Sequence, residues 1–462
     1  MKAAPAKAVG KVDRSRLPEP VRGVEHGFPV IEKSRLANGL RVWTIEHPAV
    51  PVVTAILLMR RGAASDPLGK EGLAALTVDM LDEGSGSRSA IDMHEALARI
   101  GAQFDSDIGS DAAALTVTTL TRFTDRALTL MADLAARPNL ADTDFVRVRQ
   151  LRLHRLAQMR DMPGAVADRT FVKLLYGDHP YGHTPIGDER ALASVTVDDV
   201  RAFHGAELTP AVSTLIVAGD CDHGEVLRVA SEQFESWTPG PAADPSASGA
   251  IPHPARLNII PRPGAPQSEL RIGHVAAPRD TPDYHALVAA NMVLGGQFVS
   301  RINLNLREGK GLTYGARTNF DFRRAPGPFA LQASVHTAGT AVAVREAIDE
   351  IAAIRGPRPI SSEELALGVA ALTRGYARNF ETADQIARAA MQIALYDLPD
   401  DYFARFVPEL EAITPAAATA AAARHLNPER LITLAVGDLD AIAPTLASLD
   451  LGEPVIIPAD TF

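Results

Sequence analysis

The sequence predicts an α+β fold of two homologous halves joined by a linker. Each half is expected to be a pair of related α/β sandwich-like domains with mostly antiparallel sheets and helices packed on them. Three observations predict it. The first is a duplication: Thr196-Val197-Asp198-Asp199-Val200, Leu208-Thr209-Pro210 and Leu215-Ile216-Val217-Ala218-Gly219-Asp220 return without a gap as Thr414, Ala418, Leu426-Asn427-Pro428 and Thr433-Leu434-Ala435-Val436-Gly437-Asp438. The offset is 218 residues (220 to 438), and each copy reads as a capped helix, a turn at proline and a strand ending at Gly-Asp. A period this long marks a duplicated domain, not a solenoid. The second is an order of strands and helices that departs from strict βαβ alternation. The third is Thr238 to Ala255, where Pro, Gly, Ser and Ala dominate and apolar periodicity disappears, as in a linker. The divisions expected are a flexible tail over 1–24, a first half over 25–237, a linker over 238–256 and a second half over 257–462.

In the first half, Leu40 to Glu46 and Pro51 to Arg60 read as strands, and Glu71 to Asp82 and Ile91 to Ile100 as helices. Ala112 to Leu120 alternates with period two, and Asp125 to Ala136 and Asp142 to Met159 return to helical spacing. The second half repeats this grammar. It has a strand at Gln267 to His274, a helix at Tyr284 to Leu294, a strand at Gly327 to His336 and a helix at Thr340 to Ile354.

A chain of 462 residues exceeds a single core. Its 46% hydrophobic and 22% charged residues, with mean hydropathy +0.01, are those of an ordinary globular protein. Forty-six Lys plus Arg against 56 Asp plus Glu leave a net charge of −10, so no global field draws nucleic acid or an anionic membrane surface. No apolar run approaches the roughly 18 to 20 residues that cross a bilayer, and no membrane insertion is expected. The start, MKAAPAKAVGKVDRSRLPEP, lacks an apolar signal core; it reads as a flexible tail, with the stub of a removed signal as the alternative. The single cysteine, Cys221, excludes an internal disulfide and a multi-cysteine zinc site, and it reads as a core residue at a strand end.

Thirteen histidines invite a metal, yet no two stand four apart on a segment that reads as helix. His179 and His183 have that spacing, but Pro180-Tyr181-Gly182 between them breaks a helix and favours a structured loop. Gly295-Gly296 lacks the flanking pattern of a phosphate loop.

Two segments carry a family resemblance. Gly72-Leu73-Ala74-Ala75-Leu76-Thr77-Val78-Asp79-Met80 is similar to the stretch in which zinc-bearing members of the pitrilysin, insulin-degrading enzyme and mitochondrial processing peptidase family carry Gly-Leu-Ala-His-x-x-Glu-His-Met. The three metal-motif positions are Ala75, Val78 and Asp79 here. Alanine and valine have no lone pair to give, and a catalytic zinc needs about three protein ligands. The family's third ligand, a glutamate roughly 75 residues further on, has no counterpart in Phe145 to Arg160, which contains no carboxylate. No metal is expected in this chain. Conversely, Leu294-Gly295-Gly296, Ser300-Arg301-Ile302, Leu306-Arg307-Glu308 and Gly311-Leu312-Thr313-Tyr314 resemble the family's Gly-Gly, Ser-Arg-Leu, Leu-Arg-Glu and Gly-Leu-x-Tyr run, with the spacing of seven from Arg307 to Tyr314 kept.

The resemblance extends from Leu36-Ala37-Asn38-Gly39-Leu40 through His179-Pro180-Tyr181-Gly182 and Gly187 to the Gly437-Asp438 strand. It implies that Arg307 grips substrate carbonyl groups and Tyr314 assists the oxyanion at a zinc held by another subunit. Physical chemistry allows both roles. Arg307 is expected to end a helix capped by Gly309, and its planar fork can donate two hydrogen bonds to a peptide carbonyl. Tyr314 is expected on the next strand, where its hydroxyl can donate to developing negative charge. The bland alternative is that Arg307 complements the helix dipole and Tyr314 packs in a strand. By resemblance, the chain is the non-zinc subunit of a heteromeric metallopeptidase, inactive alone, with a homologous zinc-bearing partner and a peptide or unfolded protein as substrate. The alternative is an inert structural relative like the core proteins of cytochrome reductase; a third reading is an autonomous peptidase with an unusual metal site. An alanine-rich stub and the habits of bacterial relatives place the expected compartment in the periplasm, with the cytoplasm as alternative.

Overall fold

The duplication appears as two six-stranded sheets that match in five strands and differ in one edge strand. In the computed structural model, which describes residues 15, 27–240, 249 and 251–459, the first sheet contains β1 (Glu32–Arg35), β2 (Arg41–Glu46) and β3 (Val52–Met59). A two-residue hairpin, β4 (Gly84–Ser85) with β5 (Arg88–Ser89), stands apart. The first sheet is completed by β6 (Gln103–Ile108), β7 (Ala113–Leu120) and β8 (Ser213–Gly219) in the order β1-β2-β8-β3-β7-β6. The second sheet contains β9 (Leu257–Pro261), β10 (Gln267–Val275), β11 (Ala316–Phe320), β12 (Pro328–His336), β13 (Ile432–Gly437) and β14 (Val455–Ile456), ordered β14-β9-β13-β10-β12-β11. In each, the late strand of the repeat lies third from one edge, parallel to one neighbour (β2 with β8, β9 with β13) and antiparallel to the other (β8 with β3, β13 with β10). The mixed α+β reading with mostly antiparallel sheets holds. The pair of related domains expected in each half is a single six-stranded sheet with helices on both faces, because the late strand hydrogen-bonds the two early ones into one layer. The tail expected over 1–24 lies outside the described residues except at Ser15, as do residues 241–248 and 250 of the expected linker.

The repeated segments match almost to the residue. Thr196 and Thr414 each cap a helix with the side-chain oxygen, over Val197–Glu207 and Pro415–His425, and a 3₁₀ turn follows at Pro210–Val212 and Pro428–Arg430. The Asp142–Met159 helix has the bounds read from its spacing.

Both faces of each sheet are apolar. In β3, Val53, Ala55, Leu57 and Met59 join the main core, while Ile56 and Leu58 point to the opposite side. That second face, with Trp43, Ile45, Ile216 and Ala218, is covered by Ile386, Ala387, Ala390, Ile393 and Ala394 of the Ala383–Tyr396 helix, which comes from the other half of the chain. The reverse also occurs: Val166, Ala167, Phe171 and Leu175 of the Pro163–Tyr176 helix cover Ile260, Ile432, Leu434 and Val436 of the second sheet. Both ends of these helices are related by 220 residues (163 to 383, 176 to 396), so equivalent helices are exchanged between the halves.

Candidate active site

The second sheet positions Arg307 and Tyr314. After the Tyr284–Asn291 helix the chain widens into a π-helical turn, Met292–Gly296; a helical turn at Arg301–Asn303 then runs into a second π-helical segment, Leu304–Gly309. Gly295 lets the first turn lie directly on β11, since a Cβ there would sit 2.5 Å from the Thr318 hydroxyl. Arg307 therefore lies in a π-helical segment. The expected cap is displaced: Gly311, not Gly309, takes the left-handed conformation (φ +62°), and its N–H donates to the Arg307 carbonyl at 3.1 Å.

Tyr314 stands in a bend two residues before β11, not on the strand itself. Its neighbours are anchored. The Thr313 hydroxyl donates to the Ser334 carbonyl (2.7 Å), and the Asn303 side-chain carbonyl accepts from Ala316 N–H (2.9 Å). The Tyr314 ring is 88% exposed, so the reading in which it packs within a strand does not hold.

Arg307 and Tyr314 line one open cavity of about 380 Å³ together with Phe298, Glu269, Arg271 and Arg317. The three guanidinium groups differ in what they are free to do. Arg271 donates to Asp168 (2.7 Å) and Glu269 (3.2 Å), and Arg317 donates twice to the Gln332 carbonyl (3.0 and 2.8 Å). Arg307 stacks on the Phe298 ring at 3.9 Å, and its buried Nη1 has no hydrogen-bond partner among the described residues. That Nη1 makes a long ion pair with the half-exposed Glu308 carboxylate at 3.6 Å, beyond hydrogen-bond range. A guanidinium held by a ring and left with an unused donor is arranged to receive an external acceptor. Phe298 had no signal in the sequence, because its contact with Arg307 arises from the path of the loop.

The degenerate metal-motif residues lie in the other half and do not line this cavity. The Leu73–Asp79 helix is buried from Leu73 through Val78, with Ala75 and Val78 at 1% and 2% exposure. Asp79 is ion-paired with Arg152 of the Asp142–Met159 helix, 73 residues on. Arg152 also reaches the Pro185 carbonyl at 3.2 Å. These residues do not fit a zinc ion: two offer no donor atom, and a guanidinium occupies the third. Sequence reasoning noted the missing carboxylate in this window but not that a fixed cation stands beside Asp79.

His179 and His183 occupy a turn-rich loop and face different partners, Tyr181 N–H (3.0 Å) and Asp66 (2.9 Å). Cys221 is half-buried at a strand end, and burial pushes its thiol up to about 11, which disqualifies it as a nucleophile near neutrality. Among the described residues, no helix is long and apolar enough to cross a membrane.

Comparison with known proteins gives the family and the fold. Residues 41–188 match the family model described as insulinase (peptidase family M16), and residues 194–372 match that of the peptidase M16 inactive domain. An uncharacterized zinc protease of Mycobacterium leprae is 25% identical over 355 residues, covering 76% of this chain and 79% of that protein. One from Mycobacterium tuberculosis is 25% identical over 305 residues, covering 65% and 69%. A peptidase M16 inactive domain structure from Pseudomonas fluorescens superposes with a TM-score of 0.80 at 25% identity, covering 88% of this chain and 98% of that one. A protease from Helicobacter pylori shares the fold with a TM-score of 0.82 at 19% identity over 88% and 99%.

Proposed function

The chain belongs to peptidase family M16, and from that premise we propose that it is the zinc-free subunit of a heteromeric peptidase. It brings Arg307 and Tyr314 to the hydrolysis of a peptide or unfolded protein at the zinc site of a homologous partner subunit, and does not hydrolyse peptides alone. The observation that carries this reading is the contrast between the two halves. The metal-motif helix is sealed by Ala75, Val78 and the Asp79–Arg152 pair, whereas Arg307 keeps an unused donor in an open cavity with an exposed Tyr314.

Arg307 donates to a substrate carbonyl, with Phe298 holding its plane, and the Tyr314 hydroxyl donates to the oxygen that gains charge as the carbonyl is attacked. β11 begins two residues after Tyr314 and pairs on one side only, leaving an edge on which an extended peptide can add. Phe298 and Tyr314 expose apolar surface in the cavity lining, suited to contact with a partner and substrate.

The test is peptide hydrolysis by the complex captured from source cells on a tagged copy of this chain, beside the isolated chain. Chelator-sensitive activity is expected in the complex only, and Arg307→Ala or Tyr314→Phe should each lower kcat/KM by about 100-fold or more while leaving assembly and Tm unchanged. Hydrolysis indifferent to both substitutions removes these roles. A captured complex with no activity makes the chain an assembly protein of the same fold.

A further inference from the structure

A second cavity, of about 230 Å³, opens in the N-terminal half and is lined by Glu71, Arg169, Lys173, His183, Thr184 and Asp188. Most of its charges are already engaged. Lys173 pairs with Asp178 at 2.8 Å, His183 meets Asp66 at 2.9 Å, and Asp188 accepts from the N–H groups of Arg190 and Ala191 at 2.9 and 3.1 Å. Glu71 accepts from Gly69 N–H at 3.1 Å.

Arg169 is the exception. It is 8% exposed, its hydrogen bond is a 3.3 Å contact with the Gly187 carbonyl, and it makes no ion pair among the described residues. A buried charge without a direct ion pair is costly, and arginine cannot relieve that cost by losing its proton. Burial pulls its pKa downward, and the nearby Asp188 and Glu189 carboxylates offset only part of that. The side chain has a planar fork of five donors, and the residue lines the cavity.

We propose that this cavity binds a carboxylate, that of a free amino acid or of the C-terminal residue of a peptide, with Arg169 as its bidentate anchor. The fork matches a planar carboxylate in geometry. The volume, below the roughly 300 to 1,000 Å³ of drug-sized sites, suits a ligand end of one or two residues. Glu71 and Asp188 in the lining disfavour a compact dianion such as phosphate and accommodate the ammonium of a zwitterion. The site is separate from the Arg307 cavity, and its existence does not depend on the function proposed above.

The experiment is calorimetric titration and thermal unfolding of the full chain with acetate, glycine, triglycine, triglycine amide and inorganic phosphate as probes. Saturable binding of acetate, glycine or triglycine is expected, with triglycine amide and phosphate bound at least about tenfold more weakly. Arg169→Gln should weaken carboxylate binding by at least about tenfold. Arg169→Lys, which keeps the charge without the fork, should also weaken it and serves if the glutamine variant does not fold. Triglycine binding more tightly than glycine identifies a peptide end as the ligand, and the reverse identifies a free amino acid. The proposal is overturned if no carboxylate probe binds saturably, if the amide or phosphate binds as well as the acids, or if the folded Arg169 variants bind unchanged.

Discussion

Arg152 is 9% exposed and Asp79 40%, and that difference sets what each can lose. Asp79→Asn leaves a buried guanidinium with an orphaned Nε and carbonyl contacts of 3.2 and 3.4 Å, which should cost about 1 to 3 kcal/mol. Arg152→Met leaves a carboxylate that water can reach, so it should cost less; denaturant unfolding of both variants checks the order, and a larger loss for Arg152→Met would contradict it. His274 supplies a pH dependence. Burial, with Arg430 and His425 nearby, lowers its pKa below the usual 6.5, and its Nε2 accepts from Asn427 N–H at 3.0 Å. Above pH 6.5 the ring is neutral folded or unfolded; as pH falls below that, the unfolded chain gains a proton that the folded one resists, and stability declines until the folded pKa is passed. Tm measured from about pH 7.5 to about pH 5 should therefore drop less steeply in His274→Gln than in the parent chain. Arg307 and Tyr314, which line one cavity, were singled out by their spacing of seven in the sequence. Phe298 and Arg152 were not, since each acts through a tertiary contact that no local pattern encodes.

At the scale of elements, most helices and strands could be read from apolar spacing, whereas the π-helical turns could not. The extra residue in such a turn leaves the apolar pattern around it nearly intact, so Tyr284 to Leu294 looked like one α-helix when the α-helical part ends at Asn291. The covering of each sheet's second face was equally hidden: the near-continuous apolar runs of β3 and β8 call for a layer on both faces without saying which helix provides the second. Ile393, 1% exposed on the Ala383–Tyr396 helix, tests that layer. Ile393→Ala should destabilise the protein by about 2 to 5 kcal/mol. It should also accelerate amide exchange in β3 and β8, which lie more than 170 residues earlier in the chain. Faster exchange confined to the second sheet would show that the helix belongs energetically to its own half.

At the scale of the whole molecule, the 218-residue offset made the two halves legible, but not their exchange of helices. A fragment spanning 27–240 would keep Val166, Phe171 and Leu175 with no second sheet to cover, and would bare Trp43, Ile45, Ile56, Leu58, Ile216 and Ala218. The 251–459 fragment would have the complementary defects. Each exposed face is a contiguous apolar patch in a sheet, the kind of surface that drives association. The full chain should thus unfold in one cooperative transition. The separate fragments should bind a hydrophobic dye and self-associate, and mixing them should restore a one-to-one complex with the dye released. There is one competing outcome with a definite physical meaning: because the exchanged helices are equivalent by position, an isolated half could close its own helix onto its own sheet. Monomeric, dye-silent fragments that do not combine would show this, and the exchange would then add nothing that either half lacks alone. Recombination would show instead that the exchanged helices fit each other's sheets better than their own, and that the mutual orientation of the Arg307 cavity and the sealed Asp79–Arg152 half is fixed by the same contacts that stabilise the fold.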